Sequence, residues 1–351
     1  MPKNIQMEVR NLTEKLKREF CFFQKGSRLP SVRELLASHF CSRQTLKLAL
    51  DQLKEEGIIR SETRSGLFLC GGERNVKNVL FIRVDWPVLH ADELSEKLEM
   101  VFGECPGIRF LEMRYPPREL ERFLDGLGCF SADLVILWLE TVYPKTLLHL
   151  FEIGMPVVFF DCGIDLPHAW TFDLQEYMVG MMAAEKLAER GHRKIAYLVD
   201  EPVGMTCRAK INGFRDYSWL HHLEAEVIEF GLVNGEHSLS QANELLISYF
   251  SRHPIRFSGC FCGHFNLCRD VFVSCGKRIP EDVSVISLDT RTRCETHGGK
   301  IAEICYDIDR IAADLAKGVK NFFRTGSFGS YRVKPLFYDG KSLIRNKNYN
   351  Q

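Results

Sequence analysis

Residues 42–59, SRQTLKLALDQLKEEGII, decide the fold of the first part of the chain. The apolar side chains of this stretch recur at the spacing of one helix face: Leu46, Ala49, Leu50 and Leu53. This pattern predicts an amphipathic helix. Gly57 follows the last of these side chains, and glycine is the residue that most often ends a helix.

The sequence on either side of this helix predicts two more helices and a hairpin. Ser31 and Glu34 have the spacing of a capping box, which marks the start of a helix. Only residues 39–41 separate that helix from the next, so the two must cross steeply, as in a helix-turn-helix. An apolar stripe within residues 5–20 predicts a preceding helix, and residues 58–69 predict two short strands that form a wing.

The start of the helix in residues 42–59 is predicted to face outward with side chains that suit phosphates and base edges in a DNA major groove. These side chains are Ser42, Arg43, Gln44 and Thr45, with Lys47 nearby. The alternative interpretation is a packing unit of three helices whose exposed charges are only solvated.

Residues 26–35 (GSRLPSVREL) and 42–59 together resemble the winged-helix domain of GntR-family transcription regulators. The resemblance covers about residues 5–70. It implies that operator DNA is contacted by the residues at the family's contact positions, which here are Arg33, Ser42, Arg43 and Thr45.

Two positions depart from the GntR pattern. Lys47 stands where the family usually has arginine, and a lysine lacks the planar fork that reads guanine, so we expect a phosphate contact there. In the wing, the family prefers Gly-x-Gly-Thr, whereas this chain has Arg64 and a single Gly66. We expect both wing residues near DNA, with Arg64 at the minor groove or the backbone.

The composition is that of an ordinary globular protein of two or three domains. The 351 residues carry 46 Lys/Arg and 46 Asp/Glu, but residues 1–72 hold 13 basic against 8 acidic side chains, a modestly basic amino-terminal segment. No apolar run approaches the length of a membrane span, and the first twenty residues do not resemble a signal peptide. The 13 scattered cysteines suit reduced, buried thiols. We therefore expect a soluble, cytoplasmic protein without a membrane partner.

Beyond a polar linker at residues 72–77, short apolar runs alternate with amphipathic stretches. The strand candidates are residues 79–84, 109–113, 134–139, 156–160, 195–199, 226–230, 259–262 and 283–288. This alternation predicts an α/β fold with parallel sheets, and the length favours two lobes. The predicted organisation is a winged helix-turn-helix at residues 1–71, a two-lobed domain at residues 78–345 and a tail at residues 346–351.

Acidic and aromatic side chains follow the predicted strands at the edge where such lobes bind ligands. They are Asp85, Trp86, Trp138, Asp161 and Asp289. Carboxylates accept hydrogen bonds from hydroxyl groups and an indole covers an apolar sugar face, so the pattern favours a polyhydroxylated ligand. Polar loop starts and buried tryptophans are the alternative explanation.

Residues 157–161 (VVFFD), 184–196 and 276–289 (GKRIPEDVSVISLD) resemble the effector-binding domain of LacI/GalR repressors. This resemblance covers about residues 76–340 and implies a periplasmic-binding-protein-like fold that closes on a small molecule, as well as a homodimer on a pseudo-palindromic operator. It implies ligand contacts at Asp161 and Asp289. Lys210 occupies the position of the family's ligand arginine, with Arg208 two residues earlier, and His264 lies where the family has Asn-Asp. We therefore expect a pocket for a sugar or sugar derivative with altered specificity.

The sequence predicts a ligand-controlled, DNA-binding transcription regulator, most simply a repressor, and not an enzyme. It contains no Gly-x-Ser-x-Gly, Walker or Gly-x-Gly-x-x-Gly motif in the required context, and no cofactor is expected. Two alternatives stay open. One is a cytoplasmic small-molecule receptor without DNA regulation. The other is a metal-responsive regulator that uses Cys260, Cys262, His264 and Cys268, although this spacing matches no common zinc module and we expect no metal there.

Overall fold

The amino-terminal part of the chain folds around its own apolar core. The computed structural model describes residues 3–20, 22–23, 25–62, 65–70, 76–85, 89–116, 119–126, 132–138, 154–163, 169–233 and 239–346. Its first elements are α1 (Lys3–Phe20), α2 (Val32–His39), α3 (Arg43–Glu55), β1 (Ile59–Glu62) and β2 (Gly66–Leu69). The inward face of α3 packs on α1 and on the antiparallel β1–β2 hairpin. The predicted helix-turn-helix and wing are both present.

The first lobe of the body is a six-stranded, fully parallel sheet with the order β13-β7-β6-β5-β3-β4. Its elements are β3 (Lys77–Val84), α4 (Leu89–Gly103), β4 (Ile108–Tyr115), α5 (Leu120–Asp125), β5 (Leu134–Trp138), β6 (Val157–Phe160), β7 (Trp170–Asp173) and the late strand β13 (Ser330–Arg332). Asp161 directly follows β6 at the carboxyl edge of this sheet, the edge at which open α/β sheets bind ligands.

The second lobe has a six-stranded sheet with the order β14-β12-β11-β10-β8-β9, parallel except for β14. Its elements are α6 (Glu176–Glu189), β8 (Lys194–Val199), α7 (Met205–Leu220), β9 (Glu224–Glu229), α8 (Leu239–Arg252), β10 (Gly259–Cys262), α9 (Phe265–Ser274), β11 (Ser284–Thr290), α10 (Arg291–His297), β12 (Ala302–Tyr306), α11 (Ile308–Thr325) and β14 (Leu336–Tyr338). The chain passes between the sheets three times: after β7, before β13 and after β13. A multi-strand connection of this kind suits hinge closure.

Two glycines set the distance between α6 and α7. A side chain at Gly180 would lie 1.8 Å from the Lys210 carbonyl oxygen, and one at Gly213 would lie 1.9 Å from the Tyr177 carbonyl oxygen. The two helices therefore pack backbone to backbone, which only glycine permits. This close approach brings the buried Lys210 of α7 beside Glu176 at the start of α6.

All eight strand candidates correspond to strands, with ends displaced by at most a few residues. The chain adds β7, β12, β13 and β14, which were not among the candidates. β12 has a buried glutamate, Glu303, in an otherwise apolar run, and β13 and β14 have three residues each, too short to show a pattern. Lys77, which the sequence assigned to the linker, is instead the first residue of β3, while residues 71–75 and 347–351 lie outside the described part of the chain.

None of the helices in the described ranges combines the length and the apolar character that a bilayer crossing needs.

Candidate functional site

The helix-turn-helix is fixed by hydrogen bonds at the start of each of its two helices. The Ser31 N–H donates to the Glu34 carboxylate over 2.7 Å, and the Glu34 N–H donates to the Ser31 hydroxyl over 3.3 Å. The predicted capping box is therefore present, and these bonds hold the pKa of Glu34 below its usual value. Ser42 caps α3 by accepting from the Thr45 N–H over 3.0 Å. The capped ends set the angle at which α3 leaves the turn.

One face of this unit carries exposed polar and basic side chains: Arg33, Ser42, Arg43, Gln44 and Lys47. Within the described part of the chain, none of its three cations has a carboxylate within ion-pair distance. Thr45 departs from the prediction: it is only 7% exposed, and its hydroxyl lies 2.8 Å from that of Ser42. It faces inward because residue 45 is one turn before Ala49 on the apolar stripe of α3.

A further cation, Arg28, lies beside the wing. Gly66 has φ +112°, and a side chain there would lie 3.1 Å from Nε of Arg28, which is itself exposed. The sequence reasoning did not select Arg28, although it lies in the quoted GSRLPSVREL stretch and its backbone pairs with Phe68 of the wing. Arg64, the other predicted wing residue, lies outside the described residues.

A buried carboxyl group stands at the carboxyl end of β6. Asp161 has φ +46° and is 3% exposed, and its N–H donates to the Phe172 carbonyl oxygen over 2.7 Å. One of its carboxyl oxygens, Oδ1, has no hydrogen-bond partner among the described residues. Burial, with Glu176 and Asp173 nearby, raises the pKa of Asp161 well above its usual value. Oδ1 is therefore the atom of this carboxyl group that is open to a hydrogen bond with a bound molecule.

A buried ion network lies beside Asp161. Nζ of Lys210 is 2.6 Å from a Glu201 oxygen and 3.8 Å from Oε2 of Glu176. Burial alone would lower the pKa of Lys210, but the two glutamates outweigh it and the pKa is raised. Burial raises the pKa of Glu176 to about 7 in spite of the lysine. Glu176 and Glu201 were not predicted, because neither belongs to a quoted motif or follows a strand candidate directly.

Two histidines border this network. Nδ1 of His264 is 3.1 Å from the buried Asp200 carboxylate, which also accepts from the Gly263 and His264 N–H groups over 2.7 Å each. Burial lowers the pKa of His264, but the bond to Asp200 more than compensates and the pKa is raised. His90 at the start of α4 is partly buried, and desolvation together with the nearby cations Lys210 and His264 lowers its pKa to about 3. The environments of the two histidines thus shift their pKa values in opposite directions.

Aromatic packing holds Trp138, another predicted residue, at the end of β5. The Trp138 ring centroid lies 4.8 Å from that of Phe160 and 5.6 Å from that of His90. Contacts with His90 and Glu176 therefore bring four of the predicted residues towards one region: Trp138, Asp161, Lys210 and His264. The lobes also touch directly, since the Thr290 hydroxyl donates to Glu93 of α4 over 2.5 Å.

The other predicted effector residues lie apart from the buried network. Asp85 is exposed in the bend after β3, and Trp86 lies outside the described residues. Arg208 is exposed in the first turn of α7, because two residues along a helix place it on the face opposite Lys210. Asp289 bonds the Thr290 N–H over 2.8 Å and lies 3.2 Å from Nε of Arg293.

The cysteine cluster considered as a metal site is part of the apolar core. Cys260, Cys262 and Cys268 are fully buried, and burial raises the pKa of each thiol. The His264 imidazole instead contacts the Asp200 carboxylate. In the ranges that the structure describes, the group with metal-ligand geometry is a different one: Asp289, His297 and Glu303.

Comparison with known sequences supports the amino-terminal unit directly. Residues 12–69 match the family described as "Bacterial regulatory proteins, gntR family". The chain is also 27% identical over 173 residues to the HTH-type transcriptional repressor PurR of Aliivibrio salmonicida, across 48% of this chain and 49% of that one. PurR of Photobacterium profundum is 24% identical over 172 residues, with 48% of each chain covered. The chain thus spans about half the length of the curated relatives it matches.

Solved structures resemble the body. A LacI family transcriptional regulator from Enterococcus faecium with bound ribose superposes with a TM-score of 0.64 at 18% identity, over 77% of this chain and all of that one. A transcriptional regulator CelR–cellobiose complex gives a TM-score of 0.63 at 16% identity, over 90% of this chain and all of that one. At these identities the likeness establishes the fold. The chain therefore joins a GntR-family helix-turn-helix domain at residues 12–69 to a body with the two-lobed fold of LacI-family regulators.

Proposed function

We propose that the protein is a DNA-binding transcription regulator, acting in the cytoplasm, whose operator affinity is controlled by a small molecule held between its lobes. The observation that supports DNA binding most is a set of exposed cations on the helix-turn-helix face that have no carboxylate partner among the residues described: Arg33, Arg43 and Lys47. Phosphates are the natural partners of such a set, and an α3 inserted in the major groove would bring Arg43 and Gln44 to base edges. Ser42 and Thr45 would support this contact from the helix cap. Arg64 and Gly66 would support it from the wing.

A homodimer on a pseudo-palindromic operator is part of the proposal. Two copies of α3 related by a two-fold axis would meet half-sites one or more helical turns apart. The PurR relatives, which are named repressors, support repression as the outcome of binding.

DNA binding is tested with a duplex selected from random sequence by the wild-type chain. We expect Arg43→Ala to weaken binding by about 5–150-fold, or ~1–3 kcal/mol. Lys47→Ala should weaken binding to all DNA sequences by a similar factor. The slope of log affinity against log salt concentration should fall by about one, as expected for one lost phosphate contact. Lys54→Ala is the matched control, because Lys54 is on the same helix but pairs with Asp51 at 2.9 Å. Equal affinities for the Arg43 and Lys54 variants would refute the proposed docking.

The effector pocket is proposed at the buried network. Oδ1 of Asp161 and Oε2 of Glu176 both lack a hydrogen-bond partner among the described residues, and the raised pKa values of the two carboxyl groups let each of them either donate or accept. Hydroxyl groups likewise donate and accept, and the Trp138 indole offers an apolar face for a sugar ring. Lys210 and His264 would orient the ligand, whereas Asp85, Trp86, Arg208 and Asp289 would act from the rim. Two of the superposed regulators contain ribose and cellobiose, which supports a carbohydrate.

The pocket is tested by thermal shift with a panel of sugars and sugar derivatives, followed by operator titration. A ligand at 100 times its Kd stabilises the native chain by about 2.7 kcal/mol. Asp161→Asn keeps the shape of the side chain but replaces the carboxyl group by an amide that can neither ionise nor donate from oxygen, so it should abolish the ligand's shift and its effect on operator affinity. Operator binding without ligand should stay within twofold of wild type. An unchanged ligand response in this variant would refute the assignment of the pocket.

A further inference from the structure

Polar and thiol side chains gather beneath the short helix α10, on one face of the second sheet. β11 and β12 are parallel neighbours whose register pairs Ser287 with Glu303 and Asp289 with Cys305. Side chains two residues apart on a strand share a face, so all four lie on the same side of the sheet. α10 packs over that side and contributes Cys294 and His297.

Three of these side chains have metal-ligand geometry. One ligand atom each from Asp289, His297 and Glu303 lies within 4.8 Å of the other two. We call this set the carboxylate–histidine triad. Nδ1 of His297 lies 2.8 Å from Oε1 of Glu303, so the imidazole and the carboxyl group already point at each other.

The triad also has unpartnered buried polar atoms. Glu303 is 1% exposed, and its second oxygen, Oε2, has no hydrogen-bond partner among the described residues. The hydroxyl of Ser287, the register partner of Glu303, is likewise buried and without a partner in the described ranges. Buried polar atoms are rarely left unpaired, so an adjacent pair of them indicates a missing ligand.

The donor set of the triad suits Zn²⁺. One imidazole and two carboxylates are ligands that Zn²⁺ takes together with a water molecule in the fourth position of a tetrahedral site. We propose that the carboxylate–histidine triad binds one Zn²⁺ ion and that water completes its coordination. The buried Cys294 thiol of α10 is not a member of the triad.

This zinc site would lie beside the proposed effector cleft and is separate from the DNA-binding face. Arg293 now lies 3.2 Å from Asp289, but its side chain is 45% exposed and free to turn into solvent. His297 is 30% exposed on its side chain, which leaves a path for the ion. A bound ion would tie α10 to β11 and β12 and fix Asp289 at the end of β11.

The test is metal binding by the full-length chain, purified under reducing conditions, freed of metal with a chelator and titrated with Zn²⁺ and Co²⁺. We expect one equivalent of either ion, and Co²⁺ should bind without a thiolate-to-metal absorption band. Glu303→Gln and His297→Ala should each lower the Zn²⁺ affinity by more than the ~10–100-fold typical of outer-shell changes. Cys294→Ser should bind Zn²⁺ like wild type.

Matched controls are His253→Ala and Cys275→Ser, an exposed histidine and a half-buried cysteine of the same lobe. Both should bind Zn²⁺ like wild type. The proposal is overturned by absence of a stoichiometric site, by equal affinity in the triad variants, by a thiolate-to-metal band with Co²⁺, or by loss of the ion in Cys268→Ala. Because Asp289 belongs both to the triad and to the rim of the proposed pocket, sugar and operator titrations of metal-free protein test the proposed function separately.

Discussion

Replacing Glu176 by glutamine tests the buried network through the pH dependence of stability. The native carboxyl group has a pKa of about 7, against 4.5 for an ordinary glutamate, because it is buried. Glutamine has nearly the same shape and stays neutral at every pH. Lys210 keeps its shorter contact, 2.6 Å to Glu201, in this variant.

The size of the effect follows from proton linkage. A carboxyl group whose pKa is raised in the native state holds its proton there while the unfolded chain has lost it, so stability falls as pH rises from 4.5 through about 7. At ~1.4 kcal/mol per pKa unit, this shift corresponds to about 3 kcal/mol. Wild type and Glu176→Gln should therefore be similar near pH 4.5, and the variant should be about 3 kcal/mol more stable at pH 8.

Urea unfolding followed by tryptophan fluorescence between pH 5 and 8 measures this difference. All four tryptophans lie between residues 86 and 219, so the signal reports on the body and not on the helix-turn-helix. Glu224→Gln is the control, because its carboxylate is exposed and pairs with Lys194 on the surface. Parallel pH profiles for wild type and Glu176→Gln would show that Glu176 is ionised in the native protein, and the argument from its burial would fail.

Three further substitutions test individual packing and capping arguments. Phe40→Gly should stabilise the amino-terminal domain by about 1 kcal/mol in thermal unfolding, because Phe40 has φ +46° and is 95% exposed; a loss of stability would contradict this. Gly180→Ala should destabilise the body by ~1–3 kcal/mol or more, because its methyl group would lie 1.8 Å from the Lys210 carbonyl oxygen. Gly103→Ala, which meets nothing within 4 Å, should be nearly neutral, and equal effects at the two glycines would refute the close-packing argument. Ser31→Ala should cost about 1 kcal/mol through the lost capping box, measured by helix circular dichroism, whereas an unchanged melting temperature would show that the cap contributes nothing.

The helix-turn-helix was predictable because its signals are local. A capping box and an apolar stripe act within one or two helical turns, so Ser31, Glu34 and Leu53 were identified without tertiary contacts. The same reasoning failed for Thr45, which was expected to face outward. Thr45 lies one turn before Ala49 on the apolar stripe of α3, and it is buried with that stripe even though its hydroxyl is polar.

The candidate effector site was predictable only in part. Strand ends are visible in the sequence, so Asp161 was selected, and the structure places it in a buried polar region. Glu176, Glu201 and Asp200 were missed, because their importance comes from contacts with Lys210 and His264 on other elements. The backbone contact at Gly180 that seats Lys210 has no signature in the sequence.

The sequence by itself predicted most of the helices and strands, since periodicity and capping depend on residues close together in the chain, although β7, β12, β13 and β14 were missed. It also located the exposed cations of the helix-turn-helix, Arg33, Arg43 and Lys47. The tertiary structure alone decided which ionisable groups lie together: the raised pKa of Glu176 and the carboxylate–histidine triad both arise where parallel strands and crossing helices bring distant residues into contact. Burial and proximity are properties of the folded chain, and no local pattern encodes them.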